Sequence, residues 1–356
     1  MNSRDRTLLA INHQVPDRLP VDFWASPGMW RKLEDALGLG QAQFLDGYDV
    51  DLRYLAGPRY AGPRLEGVDI WGVPRVVAEV RFPSGVERYD EVARSPLAEA
   101  RTVAEIAAYP HWPSPDWFDF TDIAAQCEEV LRQGRAVVFM GDRLNRVNQL
   151  KQMTYLRGME QALLDLACDP ELAHAVLGRI RAFYLAYLER LLGAARGKLD
   201  IMVTGDDFGS QNGLLISAEM WDRYLRKGFA AYVELIHSYG AKVMHHSCGS
   251  VRPLVPRLIA CGLDILQSLQ PEARDMAPEE LKGDFGAQLA FQGGVSVQRT
   301  MPFGTPQEIR AQVRRLAQVM GAGGGYIFCT AHNLQADTPV ANVVALLEAY
   351  REYGGY

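Results

Sequence analysis

The sequence predicts an α/β fold, a (β/α)8 barrel of the TIM type, for this chain of 356 residues. Short apolar runs alternate with long amphipathic segments from one end of the chain to the other. This alternation is typical of repeated β-α units around a parallel sheet. Eight such runs can be counted, and eight parallel strands with intervening helices close into a barrel.

The predicted strands are rich in β-branched and aromatic residues. In chain order they cover residues 20–24, 48–54, 136–141, 200–207, 242–248, 264–268, 289–295 and 326–332.

Capping patterns predict where the helices between these strands begin. Asp169 is followed by Pro170 and Glu171, which places a proline and an acid in the first turn of a helix running to about residue 192. Thr305 and Glu308 form a capping box at the start of a second helix, which ends near residue 321. Each of these helices is long enough to return the chain to the next strand.

One stretch, residues 67–88, breaks the alternation of strands and helices. It contains two β-rich runs between glycine and proline turns, which predicts a β-hairpin inserted after the second strand and occupying about residues 67–90. No internal repeat or low-complexity linker divides the rest of the sequence. We therefore expect one barrel domain over residues 1–356 with a single early insertion.

Composition and charge exclude several classes of function. Thirty-seven basic and 43 acidic residues give a net charge of -6 without a basic run, so nucleic acid is not an expected partner. The charged N-terminal segment predicts neither a signal peptide nor a membrane span, so we expect a cytoplasmic protein. The odd number of cysteines, five, predicts free thiols rather than disulfides, so a cysteine with a function is expected to be a ligand or a nucleophile.

Active-site residues of such barrels lie at the carboxyl ends of the strands, and here those ends are polar. The predicted strands end in TGDD at 204–207, HHSCG at 245–249, QS at 267–268, QGG at 292–294 and CTAH at 329–332.

His246 and Cys248 are two residues apart on a strand, so their side chains point to the same face. Imidazole and thiolate are ligands that zinc prefers, and a catalytic zinc site has three protein ligands and an open position. Cys329, from the last strand, is the best third ligand. The alternative is that His246 is a hydrogen-bonded core histidine and both cysteines are buried without a role in metal binding. His245 should face the helices.

Three further residues are candidates for catalysis. Asp206 and Asp207 are adjacent acids leaving a buried strand, where a charge is costly without a metal, a cation or several donors. One of them is a candidate fourth metal ligand, and capping of the following turn is the alternative. His332 lies three residues after Cys329, where it would act as an acid, a base or a hydrogen-bond donor to the substrate. A purely structural role is the alternative.

Candidate substrate-binding residues follow the second strand and end the seventh. Asp51 and Arg53, with Arg59, offer an arginine fork for a carboxylate or phosphate at the barrel mouth, and a structural salt bridge is the alternative. Gln292 would contribute an amide from the end of the seventh strand.

Several ordered segments of the sequence resemble the uroporphyrinogen decarboxylase superfamily, and specifically its cobalamin-linked methyltransferase branch. The resemblance covers almost the whole chain. Its segments are VPDRLPVDFW, RGMEQALLDLACDPELAHAVL, TGDDFGSQNGLLIS, HHSCGSV, QGGVSVQRTMPFGTPQEI and FCTAHNLQADTPVANV. Members of this superfamily are barrels, which agrees with the strand pattern.

The resemblance implies a zinc-dependent methyltransferase. In the methyltransferase branch a His-x-Cys pair and a distant cysteine bind zinc, and a methyl group moves between a small thiol or methoxy substrate and the cobalt of a corrinoid. The matching positions here are His246, Cys248 and Cys329. The branch's usual carboxylate ligand has no clear equivalent. Because no Asp-x-His-x-x-Gly pattern occurs, we expect the corrinoid to arrive free or on a partner protein that docks over the barrel mouth against the insertion.

Two alternatives remain open from the sequence. The first is a metal-free decarboxylase similar to uroporphyrinogen decarboxylase, which His332 favours. Enzymes of that kind have an arginine-rich N-terminal segment, whereas this chain has VDFWASPGMWRKL, and its candidate basic groups are Arg53, Arg59 and Arg143. The second alternative is a non-catalytic protein that binds a corrinoid or another small molecule.

Overall fold

Seven parallel strands form the central sheet in a computed structural model that describes residues 1–83, 85–141 and 146–356. Each strand pairs with the next one along the chain, so the described fold is α/β and resembles a TIM barrel. The strands are Leu52–Tyr54, Ala136–Phe139, Ile201–Gly205, Lys242–His246, Ile265–Leu269, Ala290–Val295 and Tyr326–Thr330.

The expectation of an eighth regular strand at residues 20–24 was wrong. These residues form only isolated parallel bridges, such as that between Val21 and Phe328. The segment nevertheless connects both edges of the sheet, because Phe328 donates to the carbonyl of Pro20 at 2.8 Å and Asp51 donates to the carbonyl of Val21 at 2.9 Å. Pro20 lacks an N–H group, which limits the ladder at this point.

Side chains alternate between the interior of the sheet and the surrounding helices. The interior apolar cluster comprises Ile11, Leu52, Ala136, Val138, Ile201, Val203, Met244, Ile265, Ala290 and Ile327. Because alternate residues of a strand share a face, His246, Gln267 and Cys329 follow Met244, Ile265 and Ile327 toward the same interior. The alternation therefore delivers polar side chains to one end of the interior.

The described helices pack around this sheet, and none of them is long and apolar enough to cross a membrane. The two predicted caps are confirmed, since Asp169 accepts from the backbone of Leu172 and Thr305 forms its capping box with Glu308. The α-helices are Ser3–Ile11, Pro27–Leu37, Gln41–Gly47, Val103–Ala107, Ile123–Arg132, Leu150–Arg157, Met159–Cys168, Pro170–Ala195, Ala218–Tyr224, Arg226–Ser238, Val255–Ala260, Pro278–Phe285, Thr300–Phe303, Pro306–Gly321 and Val340–Tyr353.

Three short strand pairs and two 3-10 turns lie outside the central sheet of the described residues. An antiparallel pair, Arg75–Phe82 with Gly85–Val92, lies within and just beyond the segment for which a hairpin was predicted. Glu87 of this pair accepts a hydrogen bond from the backbone of Ala336 at 2.8 Å, so the pair contacts the loop after the last strand. The remaining elements are the 3-10 turns Pro115–Trp117 and Arg252–Leu254 and the strand pairs Arg59–Tyr60 with Phe118–Asp119 and Gly209–Ser210 with Gly213–Leu214.

Candidate metal centre and its cavity

His246, Cys248 and His332 bring their potential ligand atoms within 4.8 Å of one another. His246 ends one strand of the sheet, Cys248 follows it by two residues, and His332 lies in the loop after the last strand. The Nε2 atom of His246 is 3.4 Å from the sulfur of Cys248. The predicted pairing of these two side chains is therefore present, with His332 as the third member of the group.

The orientation of the His246 ring is fixed by Gln267, which contacts the ring nitrogen that faces away from Cys248. Its Nδ1 atom is 2.9 Å from the side-chain oxygen of Gln267, and because that oxygen only accepts, Nδ1 carries the hydrogen and Nε2 keeps its lone pair toward Cys248. Burial and the neighbouring His332 lower the pKa of His246 well below its usual value. A neutral imidazole with a free Nε2 lone pair is the form that binds a metal.

Cys248 lies close to the carboxylate of Asp207. Burial, and then the charge of Asp207, raise the pKa of Cys248 to about 12. The backbone N–H of Cys248 donates to Oδ1 of the same carboxylate at 3.1 Å. A thiol in these surroundings stays protonated until a cation compensates for its charge, which a bound metal would do.

Asp207 connects the cluster to a cation. Its Oδ2 atom accepts from Lys151 at 2.8 Å, and its Oδ1 atom lies 3.7 Å from Nε2 of His246. Although burial opposes ionisation, the charge of Lys151 lowers the pKa of Asp207 below its usual value. A carboxylate so close to the His246 nitrogen offers an additional oxygen ligand for a metal.

His332 is held by an aromatic and an amide neighbour. Its ring stacks on Trp24 with centroids 5.0 Å apart, and its Nδ1 atom contacts the side-chain oxygen of Asn333. Burial lowers its pKa, although Asn333 works in the opposite direction. As with His246, the nitrogen facing the amide carries the hydrogen, so Nε2 is the atom available to a ligand.

Asp206 has a different place from its neighbour and does not line the cavity. It is 1% exposed, and its two oxygens accept backbone N–H bonds from Gln149, Leu150 and Lys151 at 2.6–2.8 Å. Burial raises its pKa to about 6 despite these donors. Asp206 therefore caps the start of the helix Leu150–Arg157 rather than the turn that follows its own strand, and its catalytic role stays a prediction.

Two glycines allow the strand-end loops to approach each other closely. A Cβ atom on Gly209 would lie 2.8 Å from backbone atoms of Ser250, and one on Gly249 would lie 2.6 Å from the carbonyl of Ser210. Gly249 also has a φ of 80°, which glycine adopts without strain. Ser250 donates to the carbonyl of Ser210 at 2.8 Å, so the loops that carry Asp207 and Cys248 are joined backbone to backbone.

Cys329 faces the interior but lies outside the group formed by His246, Cys248 and His332. It is 2% exposed, and burial followed by the charge of Asp22 raises its pKa well above the usual value. The carboxyl of Asp22 in turn accepts from Tyr54 and Gln292, both at 2.6 Å. The ligand set with Cys329 as third member stays a prediction.

The predicted arginine fork is not at the barrel mouth. Asp51 is fully buried before the first residue of its strand, where it binds Arg6 at 2.7 Å and Arg18 at 2.6 Å. Arg53 donates to Asp46 at 2.6 Å and to two carbonyls nearby, and Arg59 pairs with Asp119 at 2.8 Å.

The positions of Asp51 and Arg53 follow from the chain direction and the side-chain alternation of the strand Leu52–Tyr54. Asp51 precedes the strand and therefore lies at the amino end of the sheet, opposite the cluster, and the alternation of side chains turns Arg53 outward. Gln292 points inward but binds Asp22. Arg143 lies outside the described residues.

Two cavities open beside the cluster. One has a volume of about 210 Å³, and the other, of about 460 Å³, shares His332 and Asn333 with it. The smaller cavity is lined by Trp24, Arg146, Asn148, Lys151, Gly205, Asp207, His246, His332 and Asn333. The larger is lined by Cys248, Gln270, Val297, Gln298, His332, Asn333, Gln335 and Asp337.

Sequence reasoning missed Arg146, Asn148 and Lys151 as cavity residues. The usable signal was topological, because the amino ends of the helices of a barrel lie at the same end as the carboxyl ends of its strands. Lys151 is in the first turn of the helix Leu150–Arg157 and therefore reaches the site.

Residues 150–353 match the family model of uroporphyrinogen decarboxylase. The chain belongs to the uroporphyrinogen decarboxylase family. The matched region contains His246, Cys248, Cys329 and His332. None of the curated proteins compared by sequence matches this chain.

Solved structures give the fold independently. A methyltransferase from Methanosarcina mazei superposes with a TM-score of 0.67 at 16% identity, covering 99% of this chain and 99% of that one. Two weaker likenesses have TM-scores of 0.42. They are a 3-keto-D-glucoside 4-epimerase from E. coli, at 11% identity over 66% of this chain and 84% of that one, and a D-psicose 3-epimerase from Clostridium cellulolyticum H10, at 9% over 73% and 96%.

Proposed function

We propose that this member of the uroporphyrinogen decarboxylase family is a zinc-dependent methyltransferase that moves a methyl group between a small substrate and a corrinoid. The observation that carries the proposal is the contact of 3.4 Å between the His246 imidazole and the Cys248 thiol at the carboxyl ends of the strands. The methyltransferase from Methanosarcina mazei, which shares the fold along its whole length, supports the choice of reaction class.

The residues present fit a zinc ion. His246 offers a nitrogen held in the correct tautomer by Gln267, and Cys248 offers a sulfur. His332 is close enough to supply a third ligand, and Cys329 is the alternative third ligand from the sequence pattern. Bound zinc would act as a Lewis acid on the sulfur or oxygen of the substrate and make a thiolate accessible at neutral pH.

The protein's own side chains bind and orient the substrate. The smaller cavity, at about 210 Å³, suits a small molecule and lies below the roughly 300 Å³ at which cavities for drug-sized ligands begin. Arg146 and Lys151 give this cavity two cations, and Asp207 gives it one anion. If Cys329 is the third zinc ligand, the Nε2 lone pair of His332 is available to accept a hydrogen bond or a proton from the substrate.

The cavity also bears on the decarboxylase alternative. A tetrapyrrole carries several carboxylates and needs several basic groups, but of the candidates within the described residues Arg53 and Arg59 pair with acids elsewhere. The described wall of the smaller cavity contributes only Arg146 and Lys151 as cations. We therefore favour the small-substrate methyltransferase.

We propose further that the corrinoid arrives free or on a partner protein that docks at this end of the barrel. The antiparallel pair formed by Arg75–Phe82 and Gly85–Val92 contacts Ala336, next to residues that line the larger cavity. Val76 and Val77 of this pair are 51% and 68% exposed. These exposed apolar side chains would give a docking partner a surface to bury.

The deciding experiment is the metal content of the purified protein, measured by plasma mass spectrometry under non-chelating conditions. We expect one zinc per chain, lost in Cys248→Ala and retained in Cys261→Ser, a half-buried cysteine away from the cluster. His332→Ala and Cys329→Ala identify the third ligand, because only the true ligand's variant loses zinc. Absence of metal from the native protein would contradict the zinc proposal and favour a metal-free decarboxylase.

The reaction itself is tested with methylcobalamin and a panel of small thiols. In this direction the substrate sulfur gains the methyl group and loses its proton, and cobalt keeps the electron pair of the broken cobalt–carbon bond. The loss of methylcobalamin absorbance should depend on both protein and zinc. A zinc-loaded protein that transfers no methyl group to any thiol, or from any methoxy donor to reduced cobalamin, would overturn the reaction class.

A further inference from the structure

The strand Ile265–Leu269 departs from regular alternation beside the cluster. Ile265 lies in the interior apolar cluster, Leu266 packs outward and Gln267 points inward, so a regular strand would turn Ser268 outward and Leu269 inward. Leu269 instead belongs to the outer core. Pairing with the neighbouring strand shifts register between Gln267 and Leu269, which identifies a β-bulge centred on Ser268.

The bulge brings two consecutive side chains to the same site. Gln267 contacts the Nδ1 atom of His246 at 2.9 Å, and the hydroxyl of Ser268 lies 3.7 Å from the sulfur of Cys248. The same hydroxyl donates to the carbonyl of Ala331 at 2.8 Å, one residue before His332. Each member of the cluster is therefore connected to this dipeptide, directly or through the adjacent peptide group.

We propose that Gln267 and Ser268 are the positioning residues that preform the His246–Cys248 pair for its metal. The inference rests on the zinc site of the proposed function and adds two residues that do not touch the ion. Gln267 selects the imidazole tautomer with its lone pair on Nε2, and Ser268 fixes the rotamer of the thiol. Outer partners of this kind change metal affinity by about 10–100-fold in metalloproteins.

Backbone strain at Ser268 supports a role beyond packing. Ser268 has a φ of 79°, which a residue with a Cβ atom adopts rarely, and it is 1% exposed. A non-glycine residue in such a conformation is strained, and strained residues of this kind cluster at functional sites. Glycine would remove the strain but also the hydroxyl that contacts Cys248.

Gln267 also destabilises the folded state. Its Nε2 atom is buried with no hydrogen-bond partner among the described residues. A buried donor without a partner destabilises the folded state, and a leucine of similar size would avoid that cost. The bond from its oxygen to His246 is the contact that an apolar side chain would not provide.

The first test compares zinc and cobalt(II) affinity in Ser268→Gly, Ser268→Ala and Gln267→Leu, with Gln126→Leu as a control at a glutamine that binds Gly57 instead. We expect a loss of affinity of about 10-fold or more in the three site variants and none in the control. Ser268→Gly should keep or raise the melting temperature because glycine accepts the positive φ, whereas Ser268→Ala keeps the strain. Gln267→Glu retains an acceptor for His246 and should restore affinity.

The second test needs no metal. In the metal-free protein, nitrogen NMR of the His246 ring should show hydrogen on Nδ1, and Gln267→Leu should abolish that preference. If Gln267→Leu and Ser268→Gly fold and leave both tautomer and metal affinity unchanged, the positioning role is wrong. If the native protein binds no zinc but Gln267→Leu changes the tautomer, the proposed function is wrong and the positioning by Gln267 stands.

Discussion

Asp206 and Asp207 are adjacent in the sequence yet bind different groups at the start of the same helix, Leu150–Arg157. Asp206 accepts the backbone N–H groups of Gln149, Leu150 and Lys151, whereas Asp207 accepts the side chain of Lys151. The Asp206 carboxylate thus caps the backbone of the helix, and the Asp207 carboxylate forms an ion pair with the side chain of Lys151 on that helix. This division explains why two acids leave one buried strand and only Asp207 faces the cluster.

Asp206→Asn should lower the free energy of unfolding by about 1–3 kcal/mol, because an amide offers one accepting oxygen to donors that now bind both oxygens of Asp206. At least one buried N–H group at the helix start would lose its acceptor. Urea unfolding at pH 7 measures the change. Asp207→Asn is the matched control and should cost less, since Asp207 is 31% exposed in its side chain. Equal stability of Asp206→Asn and the native protein would contradict the capping role.

Asp22 should make the protein less stable as the pH rises from about 4 to 6. Burial raises its pKa from 3.8 to about 6, so the folded state holds the proton more tightly than the unfolded state in this window. The shift corresponds to about 3 kcal/mol, present below pH 4 and lost above pH 6. Asp22→Asn should remove this part of the decline, as measured by urea unfolding at several pH values. Parallel pH profiles of the two proteins would contradict the prediction.

Periodicity and capping predicted most of the fold because both are local. Seven of the expected strands occur in the sheet, and the caps at Asp169 and Thr305 begin the helices as expected. The segment at 20–24 carries the composition of a strand, but it pairs only through isolated bridges. Pairing of Val21 depends on Asp51 and Phe328, which are 30 and 307 residues away in the sequence, and a local pattern does not contain them.

The candidate site was predictable only in part. The His-x-Cys spacing put His246 and Cys248 on one face, since that follows from the period of a strand. Ser268 violates the same period because of a bulge, and no pattern in its own strand indicates one. Arg53 follows the period outward, away from the cavity. His332 reaches the group through a loop whose course depends on Trp24 and Asn333.

The free cysteines should differ widely in reactivity toward a disulfide reagent in the metal-free native protein. Cys168 is exposed, whereas Cys127 and Cys329 are buried. Burial raises the pKa of Cys127 to about 11 and that of Cys248 to about 12, which leaves little reactive thiolate at pH 8. We expect one fast-reacting thiol, removed by Cys168→Ser. A fast phase that survives this substitution would show that another cysteine is accessible.

The ion pair between Arg157 and Asp165 should be among the costliest to break. The two side chains are 0% and 2% exposed and meet through two hydrogen bonds of 2.6 and 3.0 Å. Arg157 also donates to the carbonyls of Leu97 and Ala100, and Asp165 accepts from Gln161 at 2.7 Å. Removing either member of the pair still leaves a buried charge without an opposite charge. Arg157→Met or Asp165→Leu alone should lower the free energy of unfolding by about 3–5 kcal/mol.

The double variant Arg157→Met/Asp165→Leu separates two contributions to the free energy of unfolding: the penalty for one unpaired buried charge and the stabilisation by the ion pair itself. It removes both charges, so it should recover part of the loss, although the carbonyls of Leu97 and Ala100 would still lack their donor. A double-mutant cycle by urea unfolding gives the coupling energy, which we expect to exceed about 1 kcal/mol for groups in contact. Strictly additive single effects would mean that each side chain acts through its other contacts rather than through the pair.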